Sequence, residues 1–330
     1  MSAFHPTSQP GAGSSGRSAP GAGIAGTGSH ARNPGVPLRL EWLRDIRVDR
    51  REVEGRADAL GARHGTDGEL QAASLLRVVT LIDLTTLSED DTEGRVRRLC
   101  AKARHPVRED LLHALGTAAE RIRVAAVCVY PRFVRTAVEA LEGSSIPVAT
   151  VSAGFPRGLG ATDEVLDQIA ASVAAGAAEI DVVITRKHVL SHRWDALYDE
   201  VRSFRDACGD ALIKTILATG ELGTLDNVAR ASQVCMMAGA DFIKTSTGKE
   251  RVNATLPVGI TMARAIRAYA ERTGHTVGFK PAGGIRSAKD ALHWLTMVEE
   301  ELGAEWLSPD RLRFGASSLL DDIEQQLEST

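Results

Sequence analysis

The chain has 330 residues, 43% hydrophobic, 25% charged and only 4% aromatic, with 39 basic side chains against 43 acidic ones. A net charge of −4 excludes a general nucleic-acid surface or a polybasic membrane surface, and no apolar run reaches the roughly 18–20 residues that a membrane span requires. Cys100, Cys128, Cys208 and Cys235 form no CxxC pair, and no histidine cluster stands at metal spacing. The cysteines therefore read as reduced thiols of a cytoplasmic protein, with neither a disulfide framework nor a zinc site.

Residues 1–37 are rich in Gly, Ala, Ser and Pro and carry no acidic residue. Such a segment buries too little apolar surface to offset its ordering entropy, so a disordered tail is expected. A targeting peptide is the rival reading, but the segment has no continuous apolar stretch and few arginines. Residues 38–75 form the next unit, a helical extension: Trp42, Leu43 and Ile46, then Val53, Ala57 and Leu60, fall at helical spacing.

From residue 76 to 330, short β-branched runs alternate with amphipathic stretches. Strands are predicted at 78–83, 123–130, 147–153, 179–185, 211–218, 241–246, 276–281 and 313–316. Helices are predicted near 92–105, 132–142, 163–176, 193–208, 224–238, 257–273 and 288–302, with a last one from Ser317. A further helix near 108–120 reads as an insertion in the first crossover. Unbroken β/α alternation implies right-handed crossovers and a parallel sheet, and eight units over this length fit the (β/α)₈ TIM barrel. A doubly wound open sheet fits less well, because no dinucleotide fingerprint is present.

Of the 39 basic residues only seven are lysines. Three of these, Lys214, Lys244 and Lys280, interrupt apolar runs on the predicted fifth, sixth and seventh strands. Lysine, unlike arginine, can lose its proton and form an imine. One buried lysine would read as half of a structural ion pair. Three on adjacent strands of a closed barrel point to amine chemistry at the C-terminal mouth. Asp181, within the apolar run EIDVVI at 179–184, shares its strand face with Glu179 and is a candidate proton shuttle beside those amines. Gly248, Gly283-Gly284 and Gly315 with Ser317-Ser318 follow strands six, seven and eight. Glycine turns opening onto a helix N-terminus suit a phosphate, although ordinary βα turns also favour Gly and Ser. A P-loop is excluded, because Ile243 occupies the place of its first glycine. Cys128 reads as a core cysteine that could line the barrel interior.

The motifs LIDLTTL at 81–87, VCVYP at 127–131, EIDVVI at 179–184, DFIKTSTGK at 241–249, GFKPAGGIR at 278–286 and FGASS at 314–318 resemble those of the deoxyribose-phosphate aldolase family. Residues 90–115 and LATGELGT at 217–224 are similar to its longer, animal-type branch. The resemblance covers about 38–326. It implies a class I aldolase that reversibly cleaves 2-deoxy-D-ribose 5-phosphate into D-glyceraldehyde 3-phosphate and acetaldehyde, in deoxyribonucleoside catabolism. It implies Lys244 as the Schiff-base lysine, with Asp181 and Lys280 in proton transfer. Asp83, Thr85 and Lys214 are expected to bind substrate, the first two near its hydroxyls, and Gly248, Gly283, Gly284, Gly315, Ser317 and Ser318 to surround the phosphate. No metal or organic cofactor is expected, and the partners are phosphosugar and aldehyde substrates, not nucleic acid or membrane. Whether the chain forms a homo-oligomer is left open. Two features depart from the family: residues 1–37 lie outside the resemblance, and no tyrosine follows Tyr269, whereas some members carry one on a C-terminal tail. The rival readings are another Schiff-base phosphosugar aldolase or transaldolase, and a non-catalytic phosphosugar-binding barrel.

Overall fold

Each predicted strand segment after the first keeps its place, trimmed to its buried centre. In the computed structural model, which describes residues 32–62, 68–118 and 122–329, the strands are β1 Ile82–Thr85, β2 Ala126–Val129, β3 Val148–Ser152, β4 Glu179–Val183, β5 Leu212–Ile216, β6 Phe242–Lys244, β7 Gly278–Lys280 and β8 Phe314–Ala316. All pair in parallel in the order β7-β6-β5-β4-β3-β2-β1-β8. The remaining seam, between β7 and β8, closes through bridges from Phe279 to Leu312 and from Ala282 to Gly315. The result is an eight-stranded TIM barrel.

The helices between strands lie where the periodicity predicts; the outer ones bury one apolar stripe, while Leu225–Met237 is buried on nearly every side. Thr92, Thr224 and Ser287 cap the helices Glu93–Arg104, Leu225–Met237 and Ala288–Leu302 with side-chain oxygens, supplying acceptors for the open first turns. The insertion in the first crossover is the short helix Glu109–Ala114. A five-residue helix, Arg186–Leu190, has no counterpart in the sequence reading, being too short to show periodicity.

Two expectations need correction. The first strand does not begin at Val78: the helix Gly68–Thr80 runs through Val78 and Val79, and β1 starts at Ile82. Its β-branched end mimics a strand, but Leu75, Leu76, Val78 and Val79 are all buried as a helix face, a tertiary choice that overrides weak propensity. The second correction concerns the tail. Residues 1–31 lie outside the described residues, but Arg32 to Pro37 is bound chain. Asn33 donates through Nδ2 to the carbonyls of Met236 and Ala240 at 2.8 and 2.9 Å, and accepts from the Tyr269 hydroxyl at 3.1 Å. Arg32 and the Asn33 amide both bond to the buried Asp241 carboxylate at 3.0 Å. Composition misses this attachment because it is made by polar contacts, not by an apolar stripe.

The extension follows its periodicity only in part: Trp42 and Leu43 lie on the single turn Glu41–Arg44, of which only Leu43 is buried, and Ile46 falls beyond it. Val53, Ala57 and Leu60 are buried on the helix Arg50–Gly61, which Asp49 caps and which packs on the helices Leu256–Thr273 and Ala288–Leu302. Extension and barrel share one hydrophobic core.

Candidate active site

Side chains alternate across each strand, so one parity of every strand fills the barrel interior. On β2 and β3 the inward set is small and apolar: Ala126, Cys128, Ala149 and Val151. The other strands send charge into the same space. Asp83 comes from β1, Glu179 and Asp181 from β4, Lys214 from β5, Lys244 from β6 and Lys280 from β7, with Arg313 entering just before β8. Gly278 shares this parity, and a side chain there would strike the Phe242 ring, which crosses the base of the interior.

Asp181 is the hub. Its Oδ2 accepts from Lys244 Nζ at 2.7 Å and from Lys280 Nζ at 2.8 Å, and its Oδ1 accepts from Lys214 Nζ at 3.0 Å. Lys280 also donates to Asp83 Oδ2 at 2.5 Å, and Lys214 to Glu179. Arg313 closes the lower side, with Nη1 2.6 Å from Asp83 Oδ1 and Nη2 2.8 Å from Glu179 Oε1. Asp83, Asp181, Lys214 and Lys280 are fully buried, and Lys244 is 4% exposed.

The electrostatics divide the three lysines. Burial alone would strip a proton from each. For Lys214 the Asp181, Glu179 and Asp83 carboxylates outweigh burial and hold the ammonium well above its ordinary range. Lys280 is likewise raised, against burial, by Asp181 and Asp83. Lys244 goes the other way: burial lowers it, and the Lys280 charge works against the one carboxylate it touches. Asp181 stays ionised, because the three lysines overcome the burial that would protonate it. Among these groups, the residue placed to be a free amine is Lys244. Cys128 sits in the interior as a protonated thiol, pushed up to about 11 by burial and then by Asp181.

Above this floor lies a cavity of about 290 Å³. Of the residues singled out from sequence, Thr85, Lys244, Gly248, Gly283, Gly284, Gly315, Ser317 and Ser318 line it. Asp181 and Lys280 lie beneath it, joined to it through Lys244. Asp83 and Lys214, expected to bind substrate, are placed differently: both are fully buried in the charge network and absent from the lining. Their ammonium and carboxylate groups are already taken up by one another and by Asp181, Glu179 and Arg313.

The cavity rim has the form an anion requires. Gly248, Gly283 and Gly284 hold φ of +83°, +80° and +86°, the left-handed region that glycine adopts without strain. At Gly283 a side chain would also press on Asn253 at 2.7 Å. Ser317 and Ser318 are exposed, and Ser318 begins the helix Leu319–Glu328, whose free amides and dipole face the turn. Lys249 and Arg286 add two exposed cations to the lining.

Sequence reasoning passed over four of these residues. In the sequence Glu179 shows only its parity with Asp181, and Arg313, Lys249 and Arg286 carry no expected role. The signal for Arg313 was a charge between the buried Leu312 and Phe314. For Lys249 and Arg286 it was a cation directly after a glycine turn or two residues beyond one.

Comparison with known proteins agrees with this geometry. A family model described as DeoC/LacD family aldolase matches residues 77–325. The chain is 58% identical over 299 residues to the deoxyribose-phosphate aldolase of Homo sapiens, covering 90% of this chain and 94% of that one. It is also 58% identical over 301 residues to the Mus musculus deoxyribose-phosphate aldolase, covering 91% and 94%. Among solved structures, a putative deoxyribose-phosphate aldolase from Coccidioides immitis superposes with a TM-score of 0.62 at 27% identity, over 84% of this chain and 98% of that one.

Proposed function

Since the chain belongs to the DeoC/LacD family of aldolases, we propose that it reversibly cleaves 2-deoxy-D-ribose 5-phosphate to D-glyceraldehyde 3-phosphate and acetaldehyde, through an imine on Lys244. The observation that carries this reading is the sharing of Asp181 Oδ2 by Lys244 and Lys280, directly under a cavity ringed by glycine turns and serines.

The phosphate rests against the amides around Gly248, Gly283, Gly284 and Gly315 and the hydroxyls of Ser317 and Ser318, with Lys249 and Arg286 adding charge. Anchoring at that end brings the aldehyde carbon of the open-chain sugar to Lys244. The neutral amine adds to it, and proton transfer through Asp181 and Lys280 allows the resulting hydroxyl to leave as water. The imine then draws in the electrons of the C2–C3 bond. As the C3 hydroxyl loses its proton, D-glyceraldehyde 3-phosphate departs and an enamine remains on Lys244. Protonation at C2 and hydrolysis release acetaldehyde and restore the amine. Asp181, strongly acidic here, passes a proton on without retaining it, and Lys280 is the group that carries one. The apolar wall of Ala126, Cys128, Ala149 and Val151 lies on the opposite side of the interior.

The same reading places the chain in deoxyribonucleoside catabolism in the cytoplasm. Four buried, unpaired cysteines support a reducing compartment. Among the described residues no helix is long and apolar enough to cross a membrane.

The test is borohydride reduction in the presence of acetaldehyde, followed by peptide mapping. An ethyl group on Lys244 is the expected product, and labelling of Lys214 or Lys280 instead would overturn the assignment. Replacing acetaldehyde by dihydroxyacetone phosphate as donor separates this reaction from that of other Schiff-base aldolases, and should give no trapping.

A further inference from the structure

The barrel interior holds four basic side chains, Lys214, Lys244, Lys280 and Arg313, against three carboxylates, Asp83, Glu179 and Asp181. Buried charge is tolerated only where it is paired, so three of the four bases are needed as cations and the fourth is surplus. Which one is surplus depends on the contacts. Lys214 touches all three carboxylates and Lys280 touches two. Arg313 is a permanent cation at this depth and engages two carboxylates in a fork, Asp83 at 2.6 Å and Glu179 at 2.8 and 3.2 Å. Lys244 touches only Asp181, through an oxygen that Lys280 already holds.

We propose that Arg313, seated on Glu179, is a positioning residue for the nucleophile: its fixed charge satisfies the lower carboxylates, leaving Lys244 as the one base that the interior does not require as a cation. This inference rests on the reading of Lys244 as the imine-forming residue. It assigns a role to two groups that reach neither the cavity nor the reacting atoms. The other groups facing Lys244 across the interior are Asp83 on β1, Cys128 on β2, Asp181 on β4, Lys214 on β5 and Lys280 on β7. β3 offers only Ala149 and Val151 and contributes no charge.

The consequence is a set of displacements with defined signs. Without Arg313, three carboxylates face Lys214, Lys280 and Lys244 alone, so Lys244 is recruited as a cation and reacts only at higher pH. Without the Glu179 charge, the surplus of bases grows and Lys244 stays neutral at lower pH. Without both, two carboxylates face Lys214 and Lys280, the balance returns, and Lys244 is surplus again.

The experiment measures the rate of borohydride trapping with acetaldehyde against pH for the full chain, alongside Arg313→Met, Arg313→Lys, Glu179→Gln and the double variant Arg313→Met/Glu179→Gln. Arg313→Met should move the midpoint upward, and about a tenfold loss of trapping at pH 7 corresponds to one unit of displacement. Arg313→Lys should keep the wild-type midpoint, because it keeps the charge. Glu179→Gln should move the midpoint downward, and the double variant should return it towards wild type. A merely structural Arg313 would lower the rate at every pH without moving the midpoint, and that outcome overturns the proposal. If Arg313→Met does not fold, Glu179→Gln and the double variant decide it: an unmoved midpoint in the first, or an upward one in the second, sinks the idea. Peptide mapping of the wild type keeps the two readings apart. A label away from Lys244 removes the proposed reaction and this inference with it, whereas a label on Lys244 with unmoved midpoints removes this inference alone.

Discussion

Lys244 and Lys280 donate to one and the same oxygen, Asp181 Oδ2, at 2.7 and 2.8 Å. Two ammonium groups sharing one acceptor repel each other strongly in a buried, weakly screening interior, so one proton is held less tightly than the other. Lys280 has a second carboxylate in Asp83, and Lys244 has none. The proton is therefore lost from Lys244, and the amine nearest the cavity becomes the nucleophile.

Removing either partner should separate these roles. Lys244→Ala should abolish cleavage and reductive trapping together. Lys280→Met should leave a Lys244 that traps acetaldehyde only at higher pH, since loss of the neighbouring cation lets Asp181 hold Lys244 as the ammonium. Lys280→Arg should restore the charge without the proton carrier, so trapping recovers further than turnover. Stopped assays of trapping and cleavage across a pH series check all three. Equal trapping profiles for wild type and Lys280→Met would refute the shared-oxygen argument.

The rim should discriminate phosphate from no phosphate. Gly284 holds φ +86° in the cavity wall, and Gly284→Val would force a branched side chain into a conformation it resists. With the amides displaced, kcat/KM for 2-deoxy-D-ribose 5-phosphate should fall by about ten- to a hundredfold, the equivalent of losing one charge-assisted hydrogen bond. Unphosphorylated deoxyribose should be used poorly by wild type and little worse by the variant. Parallel losses on both substrates would show that the turn does not hold the phosphate.

Asn33 should matter for stability and not for chemistry. Its side chain makes three buried hydrogen bonds that join the start of the described chain to the base of the barrel. Asn33→Ala leaves the Met236 and Ala240 carbonyls and the Tyr269 hydroxyl without this partner, at a cost of about 1–3 kcal/mol. Urea denaturation should show the loss, while the pH profile of trapping stays where it was. A variant as stable as wild type would mean that water replaces Asn33 at no cost.

The thiols should be inert in the folded protein. Burial lifts Cys100 and Cys128 to about 11 and Cys208 and Cys235 to about 12, above an unfolded value near 8.5, so at pH 8 almost none is thiolate. Iodoacetamide at pH 8 should label all four only after denaturation, as mass spectrometry would register. Rapid modification of Cys128 in the native state would show that the barrel interior opens to solvent.

What could be read from the sequence was whatever is local. Strand and helix periods, the glycine turns and the lysines breaking apolar runs each declare themselves locally, so the eight-fold alternation and the three lysines are legible in the sequence alone. The resemblance to known aldolase motifs singled out Lys244 among those lysines. The tertiary structure decided the partnerships. Arg313 meets Asp83 and Glu179 from 230 and 134 residues away, and it is the pairing of β8 with β1 in the rolled-up sheet that brings it there. Asp83 and Lys214 lie beneath the cavity lining, with their charges paired inside the barrel. The Val78–Thr80 start of the first predicted strand is helix, and Arg32–Pro37 is docked chain, for a similar reason. A β-branched run or a Gly/Pro-rich segment has only a weak preference of its own, and the surface it meets makes the choice.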